Sequence, residues 1–386
     1  MYNRKLVFYA ACLGMLVFGI VMISLGTINT FLTAKFNLNE LTVGTLASLL
    51  PFGILIGSLV FGPVVDRYGY KYLLIVCSTF IGLALILIAS TKTFGLIQAA
   101  FFLIGFGGGA INGGTNALVA DISTENKGAN LSLLGVFYGV GALGMPSAIG
   151  LLSNLFSYER IIFGIGVFVI VLVAGFCSMK FPEPKQAQGF PLRQGLSLLK
   201  NPVLVLIGFI LFFESGIEGV TNNWTTTYLQ QHLAVSAKDA LLALPLLVLG
   251  LTLARLVLGG VLKKLSAYIV LIGCLLSALL GVIILMIAGS YTLAVTGLVL
   301  LGIGFAAGFP VILGYVGQLF ESLSGTAFSI VLVIALLGNT LLNSLVGLIA
   351  HSFGIQHYLS ILLGSIIAML ILLSIVLPKI SKKIKI

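Results

Sequence analysis

Apolar residues run through this chain in long stretches that short polar clusters interrupt at fairly regular intervals. A hydrocarbon layer about 30 Å thick needs a helix of roughly 20 apolar residues to cross it, and each stretch is long enough to be one. The pattern predicts twelve such helices, over about residues 6–33, 40–65, 73–90, 94–121, 129–153, 160–181, 203–230, 238–262, 268–289, 292–318, 326–351 and 356–378. The first is too long for a secretory leader and no small-residue cleavage pattern follows it, so it is expected to stay in the mature protein. One polar interval is longer than the rest, "PEPKQAQGFPLRQGLSLLKN" at 182–201, and it divides six spans from six. The expected organisation is therefore an N-terminal six-helix bundle at 1–181, a cytoplasmic linker at 182–201 and a C-terminal six-helix bundle at 202–386.

Composition sharpens this picture. Of 386 residues, 59% are hydrophobic and only 8% charged, more apolar surface than a soluble core of that size can bury. The expectation is an all-α integral membrane protein, and the 47 glycines suit helices that must approach one another closely in lipid. A formal charge of +10 in a soluble chain points to nucleic acid, but here the basic residues are scattered between apolar spans, so no nucleic-acid partner is expected. Fifteen of the 20 Lys and Arg fall in segments on the side of the N-terminus; Lys35, Lys92, Arg160 and Lys238 fall on the other, and Arg255 lies within a span. That bias places both termini in the cytoplasm and the chain as a multi-pass protein of the cell (inner) membrane.

Chemistry that would mark an enzyme or a cofactor site is not visible. Cys12, Cys77, Cys177 and Cys274 lack metal or redox spacing, and His232, His351 and His357 lie at span ends with no metal-ligand spacing. "GFGGGA" from Gly105 has neither a preceding strand nor a Lys-Ser/Thr, so it reads as helix packing rather than a nucleotide loop. No cofactor, no metal and no enzymatic activity are expected.

Sliding the second half onto the first by 197 residues aligns separate regions without a gap. "SLVFGPVV" from Ser58 falls on "RLVLGGVL" from Arg255, and "LIGFG" from Leu103 on "LLGIG" from Leu300. Ser132, Gly141 and Gly150 meet Ser329, Gly338 and Gly347. Six spans per half, starting on the same side, make this a parallel repeat of two pseudo-symmetric six-helix bundles.

"GPVVDRYGYKY", Gly62 to Tyr72, lies in the connection after the second span and resembles the signature loop of the major facilitator superfamily. The resemblance implies twelve helices in two bundles and alternating access. Gly62 allows close helix contact, and Asp66, Arg67 and Lys71 are expected to form interfacial ion pairs that act as a conformational latch. "GVGALGMPSAIG", Gly139 to Gly150, resembles the glycine-proline motif of antiporters in the same superfamily. "ESGIEGVTNNWTTTYL" from Glu214 and "GFGGGAINGGTNALVADI" from Gly105 are similar to the fucose, galactose and glucose permease group, which implies Glu218, Trp224 and Asn116 as site residues. Fucose-proton symport in that group relies on carboxylates in the first and fourth helices; here the first span carries no charge and the fourth offers Asn112 and Asn116.

Ionisable residues inside a span cost about 2.5 to 3.5 kcal/mol each on insertion scales, so those present should face a cavity or a partner. Glu214, Glu218 and Arg255 are inside. Their depths predict a Glu214–Arg255 pair and leave Glu218 to hold a substrate hydroxyl, a cation or a proton, and all three are the candidate ion-coupling residues. Asn112 with Asn116, and Asn339 with Asn343, sit four residues apart and put two amides on one helix face, and Asn29, Asn222 and Asn223 add further amides. Amides suit sugar hydroxyls or, equally, interhelical bonds. Tyr138 and Trp224 offer stacking faces for a pyranose ring, Trp224 also being suited to anchor at the membrane interface. The expected function is a secondary active transporter of a small neutral solute, a monosaccharide, coupled to protons or sodium and acting as a monomer in the bilayer; the alternative is a proton-coupled drug or metabolite exporter.

Overall fold

The computed structural model describes residues 2–37, 40–123, 126–184 and 197–384, and within these the side chains at 29, 30, 33, 34, 40–45, 47, 48, 237, 238, 241, 379 and 381–384 are outside the described set. The side chain of Asn29 and linker residues 185–196 therefore lie outside the described residues. Among those described, twelve stretches are long and apolar enough to cross a membrane. The helices are α1 (Arg4–Phe36), α2 (Glu40–Tyr68), α3 (Tyr70–Ser90), α4 (Phe94–Ile122), α5 (Lys127–Leu152), α6 (Tyr158–Ser178), α7 (Pro202–His232), α8 (Ala237–Val261), α9 (Ala267–Met286), α10 (Tyr291–Gly304), α11 (Gly308–Leu319), α12 (Ser324–Phe353) and α13 (Tyr358–Ile384).

Local chemistry sets several helix starts. Asn201 caps α7 by accepting from Val203 N at 3.0 Å, with Pro202 at the first helical position where its missing N–H removes no bond. Ser236, Ser266 and Ser290 cap α8, α9 and α10 in the same way. Gly69 alone joins α2 to α3, at φ +85°, a conformation glycine adopts without a Cβ clash; this accounts for the glycine that follows Asp66 and Arg67.

The tenth span departs from expectation. It is two helices, α10 and α11, separated at Phe305–Ala307. Pro310 explains the break: it has no N–H to give the Ala306 carbonyl, and its ring would collide with that group in a continuous helix. Within the first turn of α11 the missing donor removes nothing.

The chain forms two compact units, one of Met1–Ile122, Phe137–Gly195 and Ser322–Ser329, the other of Ser123–Val136, Leu196–Glu321 and Ile330–Ile386. In the first unit the run "GFGGGA" packs α4 against three helices. Cβ atoms on Gly105 and Gly109 would collide with the α2 backbone at Leu50 and Ile54, one on Gly107 would lie 2.9 Å from the Cys77 oxygen of α3, and one on Gly108 2.5 Å from Val21 of α1. Three-sided close approach in lipid requires small residues at these positions. In the second unit Gly302 performs the same service between α10 and α8, and Gly338 between α12 and α7.

Candidate functional site

In the second unit, α7 and α12 bring together four of the residues singled out by sequence. Asn343 Oδ1 accepts from Trp224 Nε1 at 3.1 Å and from Asn223 Nδ2 at 3.0 Å. The Asn343 amide donates back to the Asn339 carbonyl at 2.8 Å and to Asn339 Oδ1 at 3.2 Å, while Asn339 Nδ2 donates to the Ser215 carbonyl at 3.0 Å. The helices meet this closely because Gly219 lacks a side chain, since a Cβ there would run into the Asn339 amide. The i, i+4 spacing of Asn339 and Asn343 was the visible signal; their cross-helix partners were not. Asn222 stays outside the network, giving its amide to the Glu218 carbonyl one turn back at 3.0 Å. Glu218 is half-buried, and its carboxylate makes no hydrogen bond or ion pair among the described residues.

Glu214 is 1% exposed, and neither carboxylate oxygen has a hydrogen-bond partner among the described residues. The direct Glu214–Arg255 pair expected from depth is not formed. Arg255, 8% exposed, has an Nε without a partner among the described residues and lies instead against Gly135 of α5, where a Cβ would fall 2.9 Å from Nη1. Depth along a span fixes one coordinate, and the rotation of each helix about its axis turned the two side chains to different neighbours. The residue that does touch the Glu214 carboxyl, Gly308 at the start of α11, was missed; Pro310 was the available signal for the break that puts it there.

In the first unit, Asn116 Nδ2 donates to the Asn112 carbonyl at 2.8 Å and to Asn112 Oδ1 at 3.1 Å, so this pair satisfies itself within α4. The Tyr138 ring packs on Phe18 with centroids 5.6 Å apart.

Two of the latch residues are tied to helix ends. Asp66, 1% exposed, accepts from Gly325 N at 3.2 Å, Thr326 N at 2.9 Å and Thr326 Oγ1 at 2.6 Å. It thus caps the N-terminus of α12, where the partial positive charge of a helix end favours an anion. Lys71 Nζ donates to the Cys177 carbonyl at the C-terminal end of α6 at 2.8 Å, and Arg67 lies 5.2 Å over the Tyr68 ring. A Cβ on Gly62 would lie 2.5 Å from the Gly325 oxygen, so this glycine admits α12. Ser329 Oγ donates to the Ser58 carbonyl, and Ser132 Oγ to the Arg255 carbonyl at 2.7 Å. These four residues are two pairs related by the 197-residue shift, so the repeat read from sequence recurs as a repeated hydrogen bond. Lys127, which sequence reasoning passed over, buries its side chain and gives Nζ to the Gly317 carbonyl at 3.1 Å and to Glu321 at 3.3 Å.

Comparison with known proteins gives a consistent result. The family model described as Major Facilitator Superfamily matches residues 10–331. The glucose/mannose transporter GlcP of Bacillus subtilis (strain 168) is 25% identical over 346 residues, covering 85% of this chain and 84% of that protein. The methyl viologen resistance protein SmvA of Salmonella typhimurium is 26% identical over 230 residues, covering 55% and 44%. Among solved structures, the transporter FucP in the outward conformation superposes with a TM-score of 0.80 at 17% identity, covering 95% of this chain and 98% of that one. The proton:xylose symporter XylE gives a TM-score of 0.78 at 15% identity, covering 97% and 96%.

Proposed function

Because the chain belongs to the Major Facilitator Superfamily, we propose that it is a secondary active transporter that carries a small neutral, hydroxyl-rich solute, a monosaccharide, on a proton or sodium gradient. The observation that carries this reading is the α7–α12 network. Asn343 fixes the Trp224 indole and the Asn223 amide by accepting from both at once, so the aromatic face and the amides are held before any ligand arrives. The uncommitted Glu218 carboxylate, about one turn from Asn222, supplies an acceptor for a sugar hydroxyl and a group that responds to the driving ion. An apolar face for the ring and neutral donors and acceptors for the hydroxyls are what a pyranose requires. The similarity to a glucose/mannose transporter favours the same solute class.

Transport runs by alternating access, with the bundles at 1–181 and 202–386 rocking about the bound solute and both termini in the cytoplasm. The cap of Asp66 on α12 is the latch that gives way when the cytoplasmic side opens. In proteoliposomes, glucose or mannose should accumulate under a proton or sodium gradient, and Glu218→Gln should abolish that accumulation. Absence of monosaccharide flux under either gradient would overturn the reading. The similarity over 55% of the chain to a methyl viologen resistance protein supports a second reading, proton-driven export of lipophilic cations. Flux of such a cation in the same proteoliposomes, with sugars inert, would establish it.

A further inference from the structure

We propose that a groove in the first unit, walled by α1, α5 and α6, holds an acyl chain of an anionic phospholipid whose phosphate rests on Arg160. The groove has a volume of about 580 Å³, within the roughly 300–1,000 Å³ of pockets that hold small molecules. Its bottom is α1: a Cβ on Gly141 would collide with the Leu16 carbonyl, so α1 and α5 lie in direct contact there. Its width comes from Gly144 of α5 and Gly164 of α6, where an added Cβ would meet nothing within 4 Å. Arg160 is the one polar side chain among the residues that line it.

The dimensions of the groove match one leaflet of a bilayer. Along α5 it runs from Val140 to Leu152, about 18 Å at 1.5 Å per residue. Half of a hydrocarbon layer about 30 Å thick is about 15 Å. Val140 lies near the middle of α5 and Phe168 near the middle of α6, while Leu152 and Arg160 lie at the ends of those helices on the membrane face opposite the N-terminus. A chain entering beside Arg160 therefore reaches the bilayer midplane at the far end of the groove, with its headgroup at the membrane surface. Val140, Phe156 and Phe168 are exposed, so the groove is open along its side to lipid.

Charge selects the headgroup. Three charged side chains stand at this end of α1 and α6, namely Lys35, Glu159 and Arg160. Lys35 Nζ lies 3.6 Å from Glu159 Oε1 and over the Tyr158 and Phe36 rings, whereas Arg160 makes no hydrogen bond or ion pair among the described residues. A guanidinium presents paired donors that fit two oxygens of a phosphate. With Lys35 and Glu159 neutralising each other, one positive charge is left for the lipid. A headgroup that adds an ammonium would set a second cation beside Arg160, so an anionic phospholipid is favoured over a zwitterionic one.

The second unit carries the same frame with different side chains. In the 197-residue register Gly144, Ala148 and Gly164 meet Leu341, Leu345 and Ile361, and Arg160 meets His357. Bulk stands at the positions that are open in the first unit, and a histidine stands in place of the guanidinium. The opening between α5 and α6 is thus particular to one half of the repeat, and the helix frame does not demand it.

The test is native mass spectrometry of the full-length protein, stripped of lipid in detergent and titrated with phosphatidylglycerol or phosphatidylethanolamine. A single phosphatidylglycerol should be retained, and more tightly than phosphatidylethanolamine. Arg160→Gln should weaken that retention about tenfold, the effect of removing one charged hydrogen-bonding partner, and erase the preference between the two lipids. Gly144→Leu combined with Gly164→Ile, which gives the groove the residues of its counterpart, should abolish retention. Both side chains enter open space, so the unfolding temperature of this variant should not fall. Ala148→Leu should weaken retention from a neighbouring position. Equal retention of the two lipids, or retention indifferent to Arg160→Gln, would mean an unselective lipid layer and overturn the proposal. Retention that survives filling of the groove would do the same. A wild-type dimer that the filled variant converts to monomer would give the groove to a second copy of the chain and likewise overturn it.

Discussion

The contact of α2 with the start of α12 and the contact of α8 with the start of α5 are the same piece of structure twice. Each is tied by a serine hydroxyl on a carbonyl 197 residues out of register with its twin, Ser329 on Ser58 and Ser132 on Arg255. Each has a glycine at the crossing, Gly62 in one and Gly259 in the other. The charges have diverged. The α2 contact carries Asp66, buried and capping α12, while the matching position, just past the end of α8, is the exposed Lys263. Where α2 has Ser58, α8 has Arg255. One contact is therefore a cap between an anion and a helix end, and the other lays a guanidinium against Gly135. The neutral bond recurs in both contacts, and the charges beside it differ.

Substitutions that break one member of the comparison should be felt in order of what they leave unpaired. Asp66→Ala strips the acceptor from two backbone N–H groups and a hydroxyl in a buried place, and should cost about 2 to 4 kcal/mol in a thermal or denaturant unfolding assay. Gly62→Ala comes next: its Cβ meets backbone at 2.5 Å, against 3.0 Å to the movable Leu133 side chain for Gly259→Ala. About 1 to 3 kcal/mol is expected for the first and less than about 1 for the second, the same assay reading both. Lys127→Met, which removes the donor to the Gly317 carbonyl, should cost about 1 kcal/mol. Ser132→Ala and Ser329→Ala should each cost about 0.5 to 1.5 kcal/mol, nearly equal and additive in the double variant. Unequal costs for the two serines would show that the repeated bond is a repeat in geometry only.

The spans, the repeat and the close-packing glycines were legible in the sequence because they follow from apolar run length and a constant register. Partners across helices were not. Asp66 looked like half of an ion pair since cationic donors, Arg67 and Lys71, stood near it in sequence, whereas it also accepts from two backbone N–H groups, which carry no sequence signal, and from the Thr326 hydroxyl. Asn339 and Asn343 could be placed on one face by their spacing, but nothing in the spacing says that Asn343 would hold Trp224 and Asn223. Glu214 and Arg255 matched in expected depth but do not pair, and Gly308, which lies against the Glu214 carboxyl, arrives through a helix break whose cause, Pro310, sits four residues past the carbonyl it displaces.

Trp224 is the chain's only tryptophan, so its fluorescence reports on the candidate sugar site without any label. Titrating the purified protein with glucose or mannose should produce a saturable change in that emission, lost in Asn343→Ala, which frees the indole N–H. An emission unmoved by any monosaccharide but altered, with saturation, by a lipophilic cation would contradict the account.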